Sequence, residues 1–354
     1  MPAAPVPPAS DLRRSRLRRD LGLLAVVGVL LVAAIAAGGA ALYQQFYSPT
    51  AFVERYLALL SEGRAADALA MPGVAIDSAE LEAAGLPQSS SDALLRQAAL
   101  APLTDVEAVS ERTDAGVTRV EVSYTAAGHS GTTTFEVERN GWIGVAPVWR
   151  FAHSPLTVLT LTVRGSMQFS VNGFEVDKRQ VSPDGVDAAA LDPLSMLVFA
   201  PGAYRVAVDT TISAAAGVDV LADEPLANVP VDLQAEPTEE FISVVQERVD
   251  DFLADCATQQ VLQPTGCPFG FYVSDRIDGV PTWSIAKGPT ITVEPDGADW
   301  KIPGAKARAH IEVDVVSLFD GSVQHVEEDV PFVITGQITV LPDGTVSIQI
   351  STGD

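Results

Sequence analysis

Basic side chains and cysteines are scarce in this chain. Its 354 residues carry 22 Lys and Arg against 46 Asp and Glu, a formal net charge of −24. A surface this acidic repels nucleic acid and anionic lipid headgroups, so we expect neither as a direct partner. The histidines show no metal-ligand spacing, and we expect no metal site and no cofactor. They are His129, His153, His310 and His325.

The motifs of common catalytic sites are also missing. The sequence contains no G-x-S-x-G, H-E-x-x-H, Walker loop or G-x-G-x-x-G. One S-x-x-K string, Ser284–Lys287, is of the kind that carries the nucleophile of penicillin-interacting serine enzymes, which requires a helix start. Trp283 and Ile285 alternate with Ser284, and this pattern predicts a strand instead. We therefore predict no catalytic residues and a protein that is not an enzyme.

One long apolar run organises the chain. Leu21–Leu42 contains 22 residues without a charged side chain and spans roughly 30 Å as an α-helix, the thickness of a bilayer core. Five arginines between residues 13 and 19 precede it, and Tyr43, Phe46 and Tyr47 follow it as an aromatic belt. The positive-inside rule predicts a single-pass cell-membrane protein with a cytoplasmic tail of residues 1–20 and an extracytoplasmic remainder.

A cleaved signal peptide is the alternative reading of this segment. Ala34-Ile35-Ala36 is an acceptable cleavage site, and basic residues precede the run. The apolar stretch of a signal peptide has about 7–15 residues, however, and this run is longer. The length favours a retained signal-anchor.

Both cysteines, Cys256 and Cys267, lie after the apolar run. In an oxidising compartment, two cysteines 11 residues apart around a loop with Pro and Gly predict a local disulfide. Free thiols and a metal site remain the alternatives. Alanine and arginine dominate over isoleucine and lysine, which indicates a high-GC, actinobacterial-like genome and a cell envelope.

The periodicity after the apolar run predicts an α+β protein with three modules. Residues 48–152 combine a helix starting at Ser48-Pro49 with an antiparallel meander, in which Asn140-Gly141 is predicted to turn the chain into the strand Trp142–Phe151. Residues 153–235 form a small all-β module. Residues 237–354 repeat the order of helix and meander, forming a second α+β module.

The last meander is predicted as short antiparallel strands joined by tight turns. Asp320-Gly321 is placed between Ala307–Phe319 and Ser322–Thr335, and Asp343-Gly344 precedes the last strand. The remaining predicted strands are Thr282–Ala286, Thr290–Val293, Gln337–Leu341 and Thr345–Ile350.

Aromatic residues of the first module are candidates for a ligand pocket. Trp142 and Trp149 lie in its meander, and Tyr56 lies on the apolar face of its helix. Aromatic side chains are also used to pack a core, so both uses remain open.

The order of parts resembles bacterial envelope proteins of the teicoplanin-resistance-associated (TcaA-like) type. The likeness rests on the arginine-flanked anchor, on SVNGFEV (Ser170–Val176) followed by FAPGAYRV (Phe199–Val206), and on the final α+β module. The V-x-G and P-G-x-Y strings also look like PEGA-type surface modules. The two helix-plus-meander modules are similar to the cone-shaped fold of nuclear transport factor two. The resemblance implies a cell-envelope role, although no cysteine precedes the anchor to form the family's cytoplasmic zinc ribbon.

These observations lead to three functional hypotheses. The first is a non-catalytic, membrane-anchored envelope protein that binds a protein partner or a peptidoglycan-related wall ligand. The second is a small-ligand-binding or enzymatic cone. The third is an accessory module of a cell-wall synthase. A deep cavity with convergent polar groups favours the second hypothesis, whereas a cone filled by side chains favours the first.

Overall fold

The computed structural model describes residues 10–144, 146–341 and 345–352, with residues 10–21 and 352 described by their backbone alone. The fold is α+β, with one N-terminal apolar helix and mostly antiparallel sheets. The chain divides into two compact units. Unit 1 is Met1–Ala75 with Pro102–Pro155, and unit 2 is Ile76–Ala101 with Leu156–Asp354. The expected Asp343-Gly344 turn lies outside the described residues.

The first helix, α1 (Ser10–Phe46), contains the whole apolar run. Its 37 residues span roughly 55 Å at the α-helical rise. Every side chain from Gly22 to Phe46 is exposed, so no described residue covers the apolar surface of this helix. By length and composition α1 is a candidate single membrane span.

Unit 1 continues with α2 (Pro49–Ser61) and α3 (Ala65–Leu69). The predicted helix start is confirmed: Ser48 Oγ accepts a hydrogen bond from Ala51 N at 3.0 Å, and Pro49 occupies the first turn. A four-stranded antiparallel sheet follows in the order β1-β2-β3-β4. Its strands are β1 (Leu103–Asp114), β2 (Val117–Ala126), β3 (His129–Ile143) and β4 (Ala146–Phe151).

Aromatic rings fill the space between α2 and this sheet. Phe151 lies 5.0 Å from Phe52, 5.2 Å from Tyr56 and 5.8 Å from Phe135 between ring centroids. Gly73 closes the core at one side, because a Cβ at this position would lie 2.4 Å from the Phe151 carbonyl oxygen. Only glycine allows this approach, and the φ of +81° at Gly73 also favours glycine.

The predicted turn at Asn140-Gly141 is wrong. Strand β3 continues through these residues to Ile143, and Gly141 (φ +103°) accommodates a shift of register between Arg139 and Trp142. The buried pair Val137 and Phe151 fixes the pairing. The reason is that a turn at residues 140–141 would move Val137 opposite a different residue and break the core-facing alternation. Asn140-Gly141 therefore forms a β-bulge in β3 instead of a turn, and the hairpin of β3 and β4 is longer than expected.

Unit 2 begins with α4 (Ser78–Ala83), in a segment that the sequence analysis assigns to the first module. Strands of two sheets follow, β11-β5-β8 and β12-β10-β9-β6-β7, with β11 parallel to β5. The strands are β5 (Leu156–Arg164), β6 (Gln168–Val171), β7 (Phe174–Asp177), β8 (Leu194–Phe199), β9 (Gly202–Asp209), β10 (Ser213–Ala222), β11 (Asn228–Gln234) and β12 (Glu236–Pro237). Both sheets contribute to one apolar core.

A buried lysine holds the long loop between β7 and β8. Lys178, in the short helix α5 (Lys178–Val181), donates to Ala189 O at 2.5 Å, to Ala190 O at 3.0 Å and to Asp192 O. Burial lowers the pKa of Lys178. The three carbonyl acceptors satisfy the ammonium group, so its role is to close this loop.

The last part of unit 2 packs α6 (Glu239–Ala257) against a long sheet in the order β13-β15-β16-β17, with β14 on β15. Thr238 caps α6, because its Oγ1 accepts a hydrogen bond from Phe241 N at 3.1 Å. Phe241, Val245 and Val249 face the core. The strands are β13 (Arg276–Lys287), β14 (Glu294–Asp296), β15 (Asp299–Val316), β16 (Val323–Val340) and β17 (Val346–Thr352).

The strand boundaries differ from the prediction in this meander. The predicted strands Ser322–Thr335 and Gln337–Leu341 form one long strand, β16, and Thr290–Val293 is not a strand. The β15–β16 turn is a six-residue loop, Ser317–Ser322, which contains Asp320-Gly321. Because β16 pairs with β15 from Val323 to Ile338, the turn residues alone do not determine the register.

Candidate functional site

The loop between β15 and β16 presents two apolar side chains to solvent. In this tip loop, Ser317–Ser322, Phe319 is 99% exposed and Leu318 is 73% exposed. Val323, the first residue of β16, is exposed as well. Exposed apolar side chains that lie together mark interaction sites, and aromatic anchors supply much of the binding energy of protein interfaces.

Hydrogen bonds within the tip loop hold it in one conformation. Ser317 Oγ accepts from the backbone N–H groups of Phe319 (3.2 Å) and Asp320 (3.4 Å). Asp320 Oδ1 accepts from Ser322 N at 3.1 Å and from Ser322 Oγ at 2.8 Å. These bonds, the Ser322 hydroxyl first, hold the pKa of Asp320 below its ordinary value. The polar groups thus order the loop, while its two apolar side chains project outward.

Carboxylates surround the tip loop. Asp275 Oδ1 accepts from Leu318 N at 3.2 Å. Asp278 and Asp314 are exposed and face each other across β13 and β15. With Asp320 they place a negative rim beside the apolar side chains. A complementary surface is therefore apolar at its centre and basic at its edge.

A ladder of imidazoles and carboxylates extends along β15 and β16, the two strands that the tip loop joins. The facing pairs are His310 with Asp329, Glu312 with Glu327, and Asp314 with His325. His325 Nδ1 lies 2.7 Å from Asp314 Oδ1, and its Nε2 lies 3.2 Å from Glu327 Oε1. His310 Nδ1 lies 2.8 Å from Asp329 Oδ1. The hydrogen bond to Asp314 is the main cause that raises the pKa of His325. When it is protonated, His325 offsets part of the repulsion between the facing carboxylates Glu312 and Glu327.

Within the described residues, no group of three or more His, Cys, Asp or Glu side chains is arranged to hold a metal ion. The ladder is accordingly an electrostatic feature of the sheet face beside the tip loop.

A second candidate is a polar groove of roughly 640 Å³ in the β-sheet part of unit 2. Arg179 donates to Asp177 through Nε at 3.0 Å and Nη2 at 2.7 Å, which lowers the pKa of this carboxyl group. Glu175 and Asp209 add negative charge. The lining also includes Gln168, Ser170, Gln180, Thr210 and Thr211. Such a lining suits a ligand with amine or hydroxyl groups.

The residues expected at a pocket in the first module occupy different environments. Tyr56 is fully buried in the aromatic core. Trp149 is half-buried and donates from Nε1 to Tyr47 O at 2.8 Å. Trp142 is 59% exposed on the β3–β4 hairpin. The displacement of Trp142 follows from the bulge at Gly141, which moves the turn beyond it.

The predicted disulfide is confirmed. Cys256, at the end of α6, and Cys267 are bonded with their Cα atoms 5.8 Å apart, within the usual range. The S-x-x-K string also behaves as predicted, because Ser284 and Lys287 lie in strand β13 rather than at a helix start.

The described chain is thus a disulfide-containing α+β protein with one candidate membrane span and an apolar tip loop. Comparisons with protein-family models, with curated proteins and with solved structures found no match. The functional argument therefore rests on the geometry of this chain.

Sequence reasoning missed the tip loop because it placed Leu318 and Phe319 at the end of a strand. The sequence contained one indication of this loop: Leu318 and Phe319 directly precede the turn residues Asp320-Gly321, and the side chains of a turn lie outside the sheet. It also missed the His–carboxylate ladder, since that pairing depends on the register of β15 and β16.

Proposed function

We propose that this protein is a non-catalytic, membrane-anchored, extracytoplasmic envelope protein that binds a protein partner through the tip loop Ser317–Ser322. The observation that carries the proposal is the full exposure of Phe319 on a loop whose polar groups are bonded to one another. Ordering the loop in advance reduces the entropy lost on binding.

The apolar helix supports the anchoring part of the proposal. Its exposed surface from Gly22 to Phe46 requires an apolar environment, and its arginines favour a cytoplasmic N-terminus. The disulfide fits an oxidising compartment outside the cytoplasm. The cone-shaped form expected for the two helix-plus-sheet parts, the β module between them and the TcaA-like order of parts belong to the same proposal.

The charge around the tip loop specifies the partner's chemistry. Asp275, Asp278 and Asp320 would repel an acidic surface and anionic lipid. A partner with an apolar pocket and a basic rim would accept Phe319 and Leu318 while pairing with these carboxylates. A cell-wall synthase that carries such a pocket would satisfy the accessory-module hypothesis.

The interior of unit 1 favours a binding protein over an enzymatic cone. The rings of Phe52, Tyr56, Phe135 and Phe151 occupy the space between α2 and the sheet, where a cone-shaped enzyme would hold its substrate. This is the filled arrangement that the first hypothesis predicts.

The groove of unit 2 supports a second candidate function, the binding of a wall-associated ligand. Glu175 and Asp209 would pair with ammonium groups, and the amide and hydroxyl side chains would bond to a peptide or a sugar. A Glu175→Gln/Asp209→Asn variant tests this candidate separately, because it leaves the tip loop intact. Loss of binding to isolated wall fragments would support it.

Photocrosslinking in live cells tests the proposed function. In one full-length chain, a benzophenone amino acid replaces Phe319. In the matched control, it replaces Val186, a residue of unit 2 that is 82% exposed. We expect one defined protein adduct from position 319, which weakens when Leu318→Ala is added, and no such adduct from position 186. The same scattered adducts from both positions would contradict the proposal.

A further inference from the structure

The hairpin formed by β3 and β4 in unit 1 carries a second exposed apolar tip. Trp142 is 59% exposed and Ile143 is 75% exposed. Arg139 lies over the Trp142 ring, with its guanidinium carbon 5.2 Å from the ring centroid. Tryptophan is the side chain most typical of the membrane–water interface, because its large ring is apolar while its N–H remains polar.

This hairpin is tied to the end of the candidate membrane span. Trp149 Nε1 donates to Tyr47 O at 2.8 Å, and Arg55 Nη2 donates to Phe46 O at 3.2 Å. Ser48 Oγ donates to Gln44 O at 2.8 Å. Only two residues separate α1 from α2, so these bonds fix where α1 joins the rest of unit 1.

The direction of β4 shows where the hairpin tip lies. Phe151 contacts the rings of Phe52 and Tyr56 within α2, whereas Trp149 reaches Tyr47 before α2 begins. The strand therefore lies beside α2 with its first residues towards α1. Trp142 pairs with Pro147 and Ile143 with Ala146, so both lie roughly 7–10 Å beyond Trp149 along the strand. The hairpin tip and α1 therefore project from the same end of the part of unit 1 formed by α2 and the sheet.

The charge of this segment differs from that of the whole chain. Residues 139–150 contain two arginines and no Asp or Glu, although the chain carries 46 acidic residues. Arg150 pairs with Glu138, so the positive charge beside the tip is that of Arg139, which lies over Trp142. An anionic headgroup layer would thus attract this tip, whereas it would repel the acidic tip loop of unit 2. The interfacial layer on each side of a bilayer is roughly 5–8 Å thick, which matches the reach of the hairpin beyond Tyr47.

We propose that the tip Trp142-Ile143 inserts into the headgroup layer of the membrane that α1 spans. This inference rests on the proposed membrane anchorage but not on the proposed protein partner. The bilayer would then hold unit 1 at two places, the anchor and the hairpin, and so limit the tilt of unit 1 about the anchor.

Photolabelling from lipid tests the inference with the full native chain. The chain is placed in vesicles of phosphatidylcholine and phosphatidylglycerol that contain a phospholipid with a diazirine at the glycerol level. Tryptic peptides are then analysed by mass spectrometry. We expect label in α1 and in the peptide of residues 140–150, and no label in the peptide of residues 97–112, which carries the exposed Val109.

A Trp142→Ser/Ile143→Ser variant provides the matched control, because both side chains are exposed and their replacement leaves the core intact. It should lose the hairpin label and keep the label in α1. Label in α1 without label in residues 140–150 would overturn the hairpin inference alone. No label in either segment would overturn the anchorage and, with it, the inference. Equal label in residues 97–112 and 140–150 would show random exposure to lipid and also overturn the inference.

Discussion

Removal of the Cys256–Cys267 disulfide should destabilise unit 2 while leaving its fold intact. The bond joins the end of α6 to a loop that also bonds to the sheet, since Trp283 Nε1 donates to Val261 O at 2.8 Å. Cys256 is buried in the core beside Leu253. The loop therefore keeps some order without the disulfide, and the main loss is the restriction that the bond places on the unfolded chain.

The size of the effect follows from the length of the closed loop. The two cysteines are 11 residues apart, and the chain-entropy relation gives about 3 kcal/mol for a loop of this length. Chemical denaturation of the purified chain, with and without reductant, measures this difference in the free energy of unfolding. A Cys256→Ala/Cys267→Ala variant is the control, because reductant should not change its unfolding midpoint.

Two results would refute this reasoning. The first is an unfolding midpoint of the native chain that reductant does not change. The second is alkylation of Cys256 or Cys267 in unreduced native protein, which would show that the thiols are free.

Three further predictions concern single sites. Gly73→Ala should lower the free energy of unfolding by more than about 1 kcal/mol. Gly116→Ala is the control, because Gly116 has a φ of +91° but no atom near the position of a Cβ, and its loss should be smaller. Equal losses in denaturant titrations would contradict the close approach of Gly73 to Phe151. Phe319→Ala should change the free energy of unfolding by less than about 0.5 kcal/mol, because the ring is exposed. The same substitution should weaken partner binding by about 2 kcal/mol or more, because Phe319 is the proposed interface anchor. Unchanged binding would refute the assignment of the tip loop as the binding site. Because the folded pKa of His325 is raised above 6.5, its stabilising effect should be complete below that pH and disappear as pH rises through the folded pKa. An NMR titration midpoint that Asp314→Asn does not lower would contradict this origin of the shift.

Much of the fold could be predicted because local signals and burial agree. Ser48-Pro49 and Thr238 begin helices whose apolar faces are buried, and Asn172-Gly173 turns β6 into β7. The disulfide could be predicted from the short spacing of the two cysteines together with their position after the apolar run, which predicts an oxidising compartment for them.

The sites were harder to predict because they depend on register. Asn140-Gly141 carries a strong turn signal, but the buried pair of Val137 and Phe151 determines the pairing and converts the signal into a bulge. Because Trp142 follows this bulge, it lies at the exposed tip of the β3–β4 hairpin and not in a pocket. His325 and Asp314 are 11 residues apart in the sequence and meet only because of the loop length between β15 and β16.

Thiol labelling of intact cells tests the central proposal, that an uncut helix displays the residues after α1 outside the membrane. Cysteine is introduced at Val186, an exposed position in unit 2, and at Ser15, before the apolar run, in two full-length chains. A membrane-impermeant maleimide should label the Val186→Cys chain in intact cells and the Ser15→Cys chain only after permeabilisation. The reverse pattern, or a labelled product that lacks the first 36 residues, would contradict the account.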